Sequence, residues 1–153
     1  MTSPGHASKR VLVVDDDRMF RHAVITLLDS AGFGAIAVGD GAAALSELQK
    51  SQFDLVILDL GLPRISGLDV LAEIQKLELP PKVIVVSSDD TPATVLQAIR
   101  DRAYQYILKP APPRTIVELA ERVFAKPSLR PIEVVSARAE WLELLVPCEL
   151  DAA

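Results

Sequence analysis

The chain has 153 residues, 50% hydrophobic and 24% charged, with a net charge of −5. That length and apolar content give one domain able to bury its own core and exclude bulk disorder. The acidic balance argues against a nucleic-acid surface, a single cysteine (Cys148) excludes an intrachain disulfide, and two histidines leave little for a His-rich metal site. The first ten residues lack an apolar core, and no apolar run reaches the roughly 20 residues of a membrane span. A soluble cytoplasmic protein is expected.

Five short β-branched runs alternate with segments of helical period. The runs are Val11–Val14, Ala35–Val38, Leu55–Leu58, Val83–Val86 and Tyr104–Leu108. Three are almost entirely Val, Ile and Leu, as suits strands covered on both faces. Between them, apolar residues recur at steps of three and four: Phe20, Val24, Leu27 and Leu28; Leu45 and Leu48; Val70, Leu71 and Ile74; Val95 and Ile99; Ile116, Leu119 and Val123. Gly32 and Gly34, Gly39 and Gly41, Pro80 and Pro81, and Pro110, Pro112 and Pro113 punctuate the joints. Such alternation predicts a doubly wound (βα)5 fold around a parallel sheet.

Ligands of such sheets bind beyond the carboxyl ends of the strands. Asp15, Asp16 and Asp17 follow the first strand, Asp59 the third, Ser87 and Ser88 the fourth, and Lys109 with Pro110 the fifth. Taken singly, these are ordinary residues. Asp17 reads as a helix N-cap, Ser87 could cap a helix, and a lysine at a strand end is usually a solvated charge. Together they put several carboxylates, a hydroxyl and an amine on one rim. Carboxylates about 4 Å apart repel by about 4 kcal/mol at an effective dielectric near 20, so they need counter-charge. Lys109 supplies part, and the hard-oxygen ligands select Mg2+ over zinc for the rest. A carboxylate beside Mg2+ and a lysine can accept a phosphoryl group, because aspartate serves as a covalent nucleophile.

The motifs VLVVDDD, FDLVILDLGLPRISGLDVL, VIVVSSDD and YQYILKP resemble those of the receiver domain of a two-component response regulator. The resemblance runs from about Arg10 to Phe124. It implies five parallel strands in the flavodoxin-like order 2-1-3-4-5. It also implies that Asp59 is the phosphoacceptor, that Asp15 and Asp16 hold Mg2+ with Asp59, and that Gly61 lends the metal its backbone carbonyl. Ser87 and Lys109 would hold the phosphoryl oxygens, Tyr106 would be the switch aromatic, and Pro110 would follow a cis bond. The surface of the fourth helix, fifth strand and fifth helix would change on phosphorylation.

Three departures stand out. Gly61 replaces a larger side chain and opens the acceptor to water or donor. Asp89 sits where its charge could steer water or repel phosphate. Arg102 takes the place of the usual glycine before Ala103, which puts that turn in doubt.

The implied partners are a sensor histidine kinase or phosphotransfer protein, an output domain of the same chain, and a second copy in a homodimer. No direct nucleic-acid or membrane contact is expected. Residues 1–9 read as a flexible tail, 10–125 as the receiver, and 126–153 as a linker and the start of a truncated output domain. In that tail Ile132–Val135 is strand-like, Trp141–Val146 is apolar, and the stretch resembles the opening hairpin of a further domain.

Two alternatives stand beside this reading. Asp15-x-Asp17 resembles the nucleophile motif of haloacid-dehalogenase-type phosphatases, but Met19 stands where Thr or Val is expected, and Asp59, Pro63 and Gly67 would have no task. The chain could also be an interaction module of receiver fold that is not phosphorylated.

Overall fold

The computed structural model describes residues 9–125 and 133–136. The strands are β1 (Arg10–Val14), β2 (Gly34–Val38), β3 (Leu55–Asp59), β4 (Lys82–Ser87), β5 (Gln105–Leu108) and β6 (Glu133–Ser136). The helices are α1 (Arg18–Ser30), α2 (Gly41–Lys50), α3 (Gly67–Ile74), α4 (Pro92–Arg100) and α5 (Pro113–Ala125). All pairings are parallel, in the order β2-β1-β3-β4-β5-β6. The first five strands therefore follow the order 2-1-3-4-5. None of the described helices is long and apolar enough to cross a membrane.

The sheet carries one strand more than the five expected. Segment 133–136, read from sequence as strand-like, joins this sheet beside β5, pairing Gln105 with Glu133 and Leu108 with Ser136. An edge strand such as β5 exposes unpaired N–H and C=O groups, and α5 returns the chain parallel to it. The remaining tail features, Trp141–Val146 and Cys148 among them, lie outside the described residues, as do residues 1–8.

Period-two alternation divides the core. Leu12, Val14, Val56, Leu58, Val83, Val85, Tyr106 and Leu108 face one way, against Ala44, Leu48, Val70, Leu71, Ile74, Val95 and Ala98 of α2, α3 and α4. Val11, Val13, Leu55, Ile57, Ile84, Val86 and Ile107 face the other, against Val24 and Leu28 of α1 and Ile116, Leu119, Ala120 and Val123 of α5. Each Val, Leu or Ile among them, fully buried, contributes about 1.5–3 kcal/mol of transfer free energy, so the central strands are held from both faces. Phe33 and Phe124, with ring centroids 5.7 Å apart, close the seam between the end of α1 and α5.

Register carries the polar residues to one edge. Val14 pairs with Leu58, Asp59 with Val86, and Ser87 with Leu108. Asp15 and Lys109 each follow a strand's last residue. The Lys109 N–H donates to the Ser87 carbonyl at 2.8 Å, and the Lys109–Pro110 bond is cis, as the resemblance implied.

Two backbone positions next to this edge behave oppositely. Gly67 opens α3 against the end of β3, where a Cβ would lie 2.4 Å from both the Asp59 carbonyl oxygen and Leu60 Cα. Arg102 holds a left-handed φ of 66° after α4, where its N–H reaches Ile99 and that of Ala103 reaches Ala98. The turn doubted from sequence is thus formed, by a residue that pays for it. Urea unfolding should show Gly67→Ala costing about 1–3 kcal/mol through overpacking against rigid backbone. In the same assay Arg102→Gly should gain about 0.5 kcal/mol, the relief of a left-handed residue less the added freedom of glycine when unfolded.

Candidate functional site

Asp15, Asp59 and Ser87 are buried at the carboxyl edge, with 2%, 7% and 2% of their surfaces exposed, whereas Asp16 is open to solvent. One oxygen from each of Asp15, Asp16 and Asp59 falls within 4.8 Å of the others. Between them and the β4 and β5 ends lies a cleft of about 520 Å³, lined in part by Asp16, Asp59, Gly61, Ser87, Asp89 and Lys109.

Lys109 ties the edge together. Its Nζ lies 2.9 Å from Asp15 Oδ2 and 3.5 Å from Asp59 Oδ2, and 4.9 Å from the centroid of the Phe20 ring. Burial pulls the amine's pKa down, but the Asp15 hydrogen bond and the charges of both carboxylates outweigh it, so the net shift is upward. Asp59 is also shifted up. Desolvation is the main cause and the Asp15 charge adds to it, opposed by the Gly61 N–H and by Lys109. Asp59 is thus a carboxylate whose charge is poorly compensated by protein groups alone.

The sequence-derived residues fall into place unevenly. Asp15, Asp16, Asp59, Ser87 and Lys109 converge. Gly61 donates its N–H to Asp59 Oδ1 at 3.0 Å, and a Cβ there would sit 3.8 Å from that oxygen, so this side of the acceptor is open. Asp17 is the N-cap of α1, accepting from the N–H groups of Met19 and Phe20 at 3.0 and 3.2 Å. Its carboxylate is spent on the helix start, as the sequence indicated.

Tyr106 is fully buried, with its hydroxyl donating to the Asp89 carbonyl at 2.5 Å. Burial pushes the phenol up to about 12, partly offset by a hydrogen bond with the Ser87 side chain. Ser87 Oγ also accepts the Asp89 N–H at 3.0 Å. Asp89 itself turns to the start of α4. Its carboxylate accepts from the Thr91 N–H at 2.9 Å, from the Thr91 hydroxyl, and from the Thr94 hydroxyl at 2.9 Å. The Thr91 hydroxyl and then its N–H hold the carboxyl below the usual range, so Asp89 is an anion on the cleft wall bound to Thr91, the N-cap residue of α4.

Two residues near the edge gave no functional signal in the sequence. Phe20 reads only as part of a helical apolar stripe, yet its ring lies beside Lys109. Arg21 has no periodic partner, yet its Nη1 donates to the Asp15 carbonyl at 2.8 Å.

Residues 11–121 match the family model of the response regulator receiver domain. The chain belongs to that family, and it is a receiver domain of a two-component response regulator. Among curated relatives, the "Probable transcriptional regulatory protein NarL" of Mycobacterium tuberculosis is 34% identical over 120 residues, covering 77% of this chain and 56% of that protein. The "DNA-binding response regulator MtrA" of the same species is 33% identical over 128 residues, covering 84% and 56%. The chain thus spans little more than half the length of either. A CheY-like receiver domain protein from Methanospirillum hungatei JF-1 superposes with a TM-score of 0.73 at 25% identity, covering 77% of this chain and 94% of that one. Neither the phosphatase reading nor that of an unphosphorylated module finds support.

The raised pKa of Asp59 has a signed consequence. Above it, the folded chain carries an ionised carboxylate disfavoured by burial; below the unfolded value of 3.8 both states are protonated and the penalty vanishes. Asp59→Asn should therefore be more stable than the unsubstituted chain at neutral pH without divalent cations. Lys109 stays paired to Asp15 in that variant. Urea unfolding across pH should show the advantage shrinking as pH falls through the raised pKa.

Proposed function

We propose that Asp59 accepts a phosphoryl group from a phosphohistidine on a sensor kinase or phosphotransfer protein, in a Mg2+-dependent reaction. The observation that carries this reading is the Lys109 amine set between Asp15 and Asp59, 2.9 and 3.5 Å from their oxygens, at the mouth of an acidic cleft. An Asp59 carboxylate oxygen forms the new O–P bond as the donor's N–P bond breaks, and the imidazole departs and takes up a proton. Hydrolysis of the acyl phosphate returns the carboxylate and inorganic phosphate.

The three carboxylates offer hard oxygens within 4.8 Å of one another, a donor set that fits Mg2+. Asp15, Asp16, Asp59 and the Gly61 carbonyl would hold the ion. When bound, Mg2+ supplies the positive charge that offsets the crowded carboxylates and the transferring group's oxygens. Lys109 pairs with one phosphoryl oxygen and the Ser87 hydroxyl donates to another. Open space at Gly61 admits the donor. Beyond this self-directed chemistry the domain is a signalling element and not a turnover enzyme.

Once phosphorylated, Asp59 gains negative charge and acceptor oxygens that draw Ser87 from Asp89. Tyr106 and the start of α4 follow, altering the surface of α4, β5 and α5. That surface would be read by an output domain or by a second copy of the chain. In this proposal residues 10–125 are the receiver, 1–9 a tail, and 126–153 a linker and the start of an output domain whose segment 133–136 docks on β5. NarL and MtrA carry names of transcriptional and DNA-binding regulators; for this chain, direct nucleic-acid contact is not part of the proposal. A cytoplasmic location, where such kinases present their phosphohistidine, is.

Acetyl phosphate with Mg2+ should label the chain with one acid-labile phosphate, mapped to Asp59. Asp59→Asn and removal of Mg2+ should each abolish labelling; full labelling of Asp59→Asn would move the acceptor elsewhere. Mg2+ at 100 times its Kd should add about 2.7 kcal/mol to unfolding stability, and beryllofluoride should add a further thermal shift.

A further inference from the structure

Asp15 is held through its backbone as well as its side chain. Its N–H donates to the Val38 carbonyl at the end of β2, at 3.2 Å. Its carbonyl accepts from Arg21 Nη1 at 2.8 Å, across the β1–α1 turn. Its Oδ1 accepts the Asp17 N–H at 2.9 Å, and its Oδ2 pairs with Lys109. The Arg21 guanidinium lies over the β2–α2 turn, against Gly39. A Cβ at Gly39 would sit 2.9 Å from Nη1 and 3.5 Å from Cζ, so the absent side chain is the space the guanidinium uses.

The carbonyl that Arg21 holds belongs to the peptide joining Asp15 to Asp16. The orientation of that peptide sets where the Asp16 carboxylate points relative to those of Asp15 and Asp59. Asp15 is fixed by several partners, but Asp16 is exposed. We propose that Arg21 is a positioning residue for the divalent-cation site, clamping the Asp15–Asp16 peptide so that the three carboxylates converge. The inference rests on the Mg2+ reading above.

Charge and geometry predict opposite signs. A guanidinium beside a cation site repels the cation, so through charge alone its loss would tighten Mg2+ binding. As a clamp, its loss weakens binding, in the manner of outer groups that orient metal ligands. Gly39 separates the two, because Gly39→Ala pushes the guanidinium off the Asp15 carbonyl while keeping its charge. No positive φ makes glycine obligatory there.

The test is isothermal titration of the full chain with Mg2+, for the unsubstituted protein, Arg21→Ala, Arg21→Lys and Gly39→Ala. Urea midpoints measured without Mg2+ control for folding. Arg21→Ala and Gly39→Ala should each raise the Mg2+ Kd about 10-fold, the low end for loss of an outer orienting group. Arg21→Lys, which keeps a cationic donor of similar reach, should recover part of that loss. A purely structural role would move the urea midpoints and leave Kd alone. Unchanged or tighter Mg2+ binding in folded Arg21→Ala, or in Gly39→Ala, overturns the clamp and leaves the metal site standing. Failure of the unsubstituted chain to bind Mg2+ overturns both.

Discussion

The structure turns on an electrostatic imbalance at one end of its sheet. Three carboxylates approach within 4.8 Å, and one lysine amine stands between two of them. Unit charges at about 4 Å interact by about 4 kcal/mol at an effective dielectric near 20, so one amine cannot neutralise such a cluster. Burial raises the pKa of Asp59 first and the Asp15 charge adds to it, and the Gly61 N–H and Lys109 do not offset the two together. Parallel register enforces the crowding, because strands held by apolar layers on both faces leave the polar residues after them nowhere else to go. A site short of positive charge and built from hard oxygens is suited to a divalent cation and, with it, a phosphoryl group.

The route away from the site is short and made of hydrogen bonds. Ser87 Oγ accepts the Asp89 N–H, Tyr106 donates to the Asp89 carbonyl, and the Asp89 carboxylate accepts from Thr91 and Thr94 at the start of α4. A hydroxyl recruited to phosphoryl oxygens would weaken its hold on the Asp89 amide. Tyr106, Asp89 and α4 would then settle anew. A shift from 1:99 to 99:1 needs about 5.5 kcal/mol, more than one charge-assisted hydrogen bond of about 1.5–3 kcal/mol supplies. Ser87 and Lys109 would have to act together.

What the sequence disclosed follows from how each residue acts. β1, β3 and β4 were legible because burial on both faces demands unbroken Val, Ile and Leu. Asp59 and Ser87 were legible because each ends such a run, and Lys109 because it directly follows the mixed run of β5. Asp17 was legible as a cap because a side chain serving its own helix is a local matter. Arg21 was not, since its partner is a backbone carbonyl across the β1–α1 turn, and a side chain bound to backbone selects no residue type at any spacing. The helical period puts Phe20 in a core stripe, and its place beside Lys109 depends on where β5 ends. The strand character of 133–136 could be read, but its partner is a tertiary outcome. At Arg102 the family pattern asks for glycine. The turn forms regardless, with the cost stored in one strained residue.

Asp59 carries a buried charge that its protein neighbours do not offset and that a divalent cation would. A carbon-13 NMR titration of the Asp59 carboxyl, with and without Mg2+, tests this most directly. The predicted result is a midpoint above the ordinary 3.8 in the metal-free chain, moving down when Mg2+ is added. A midpoint at or below that ordinary value, indifferent to Mg2+, would contradict it.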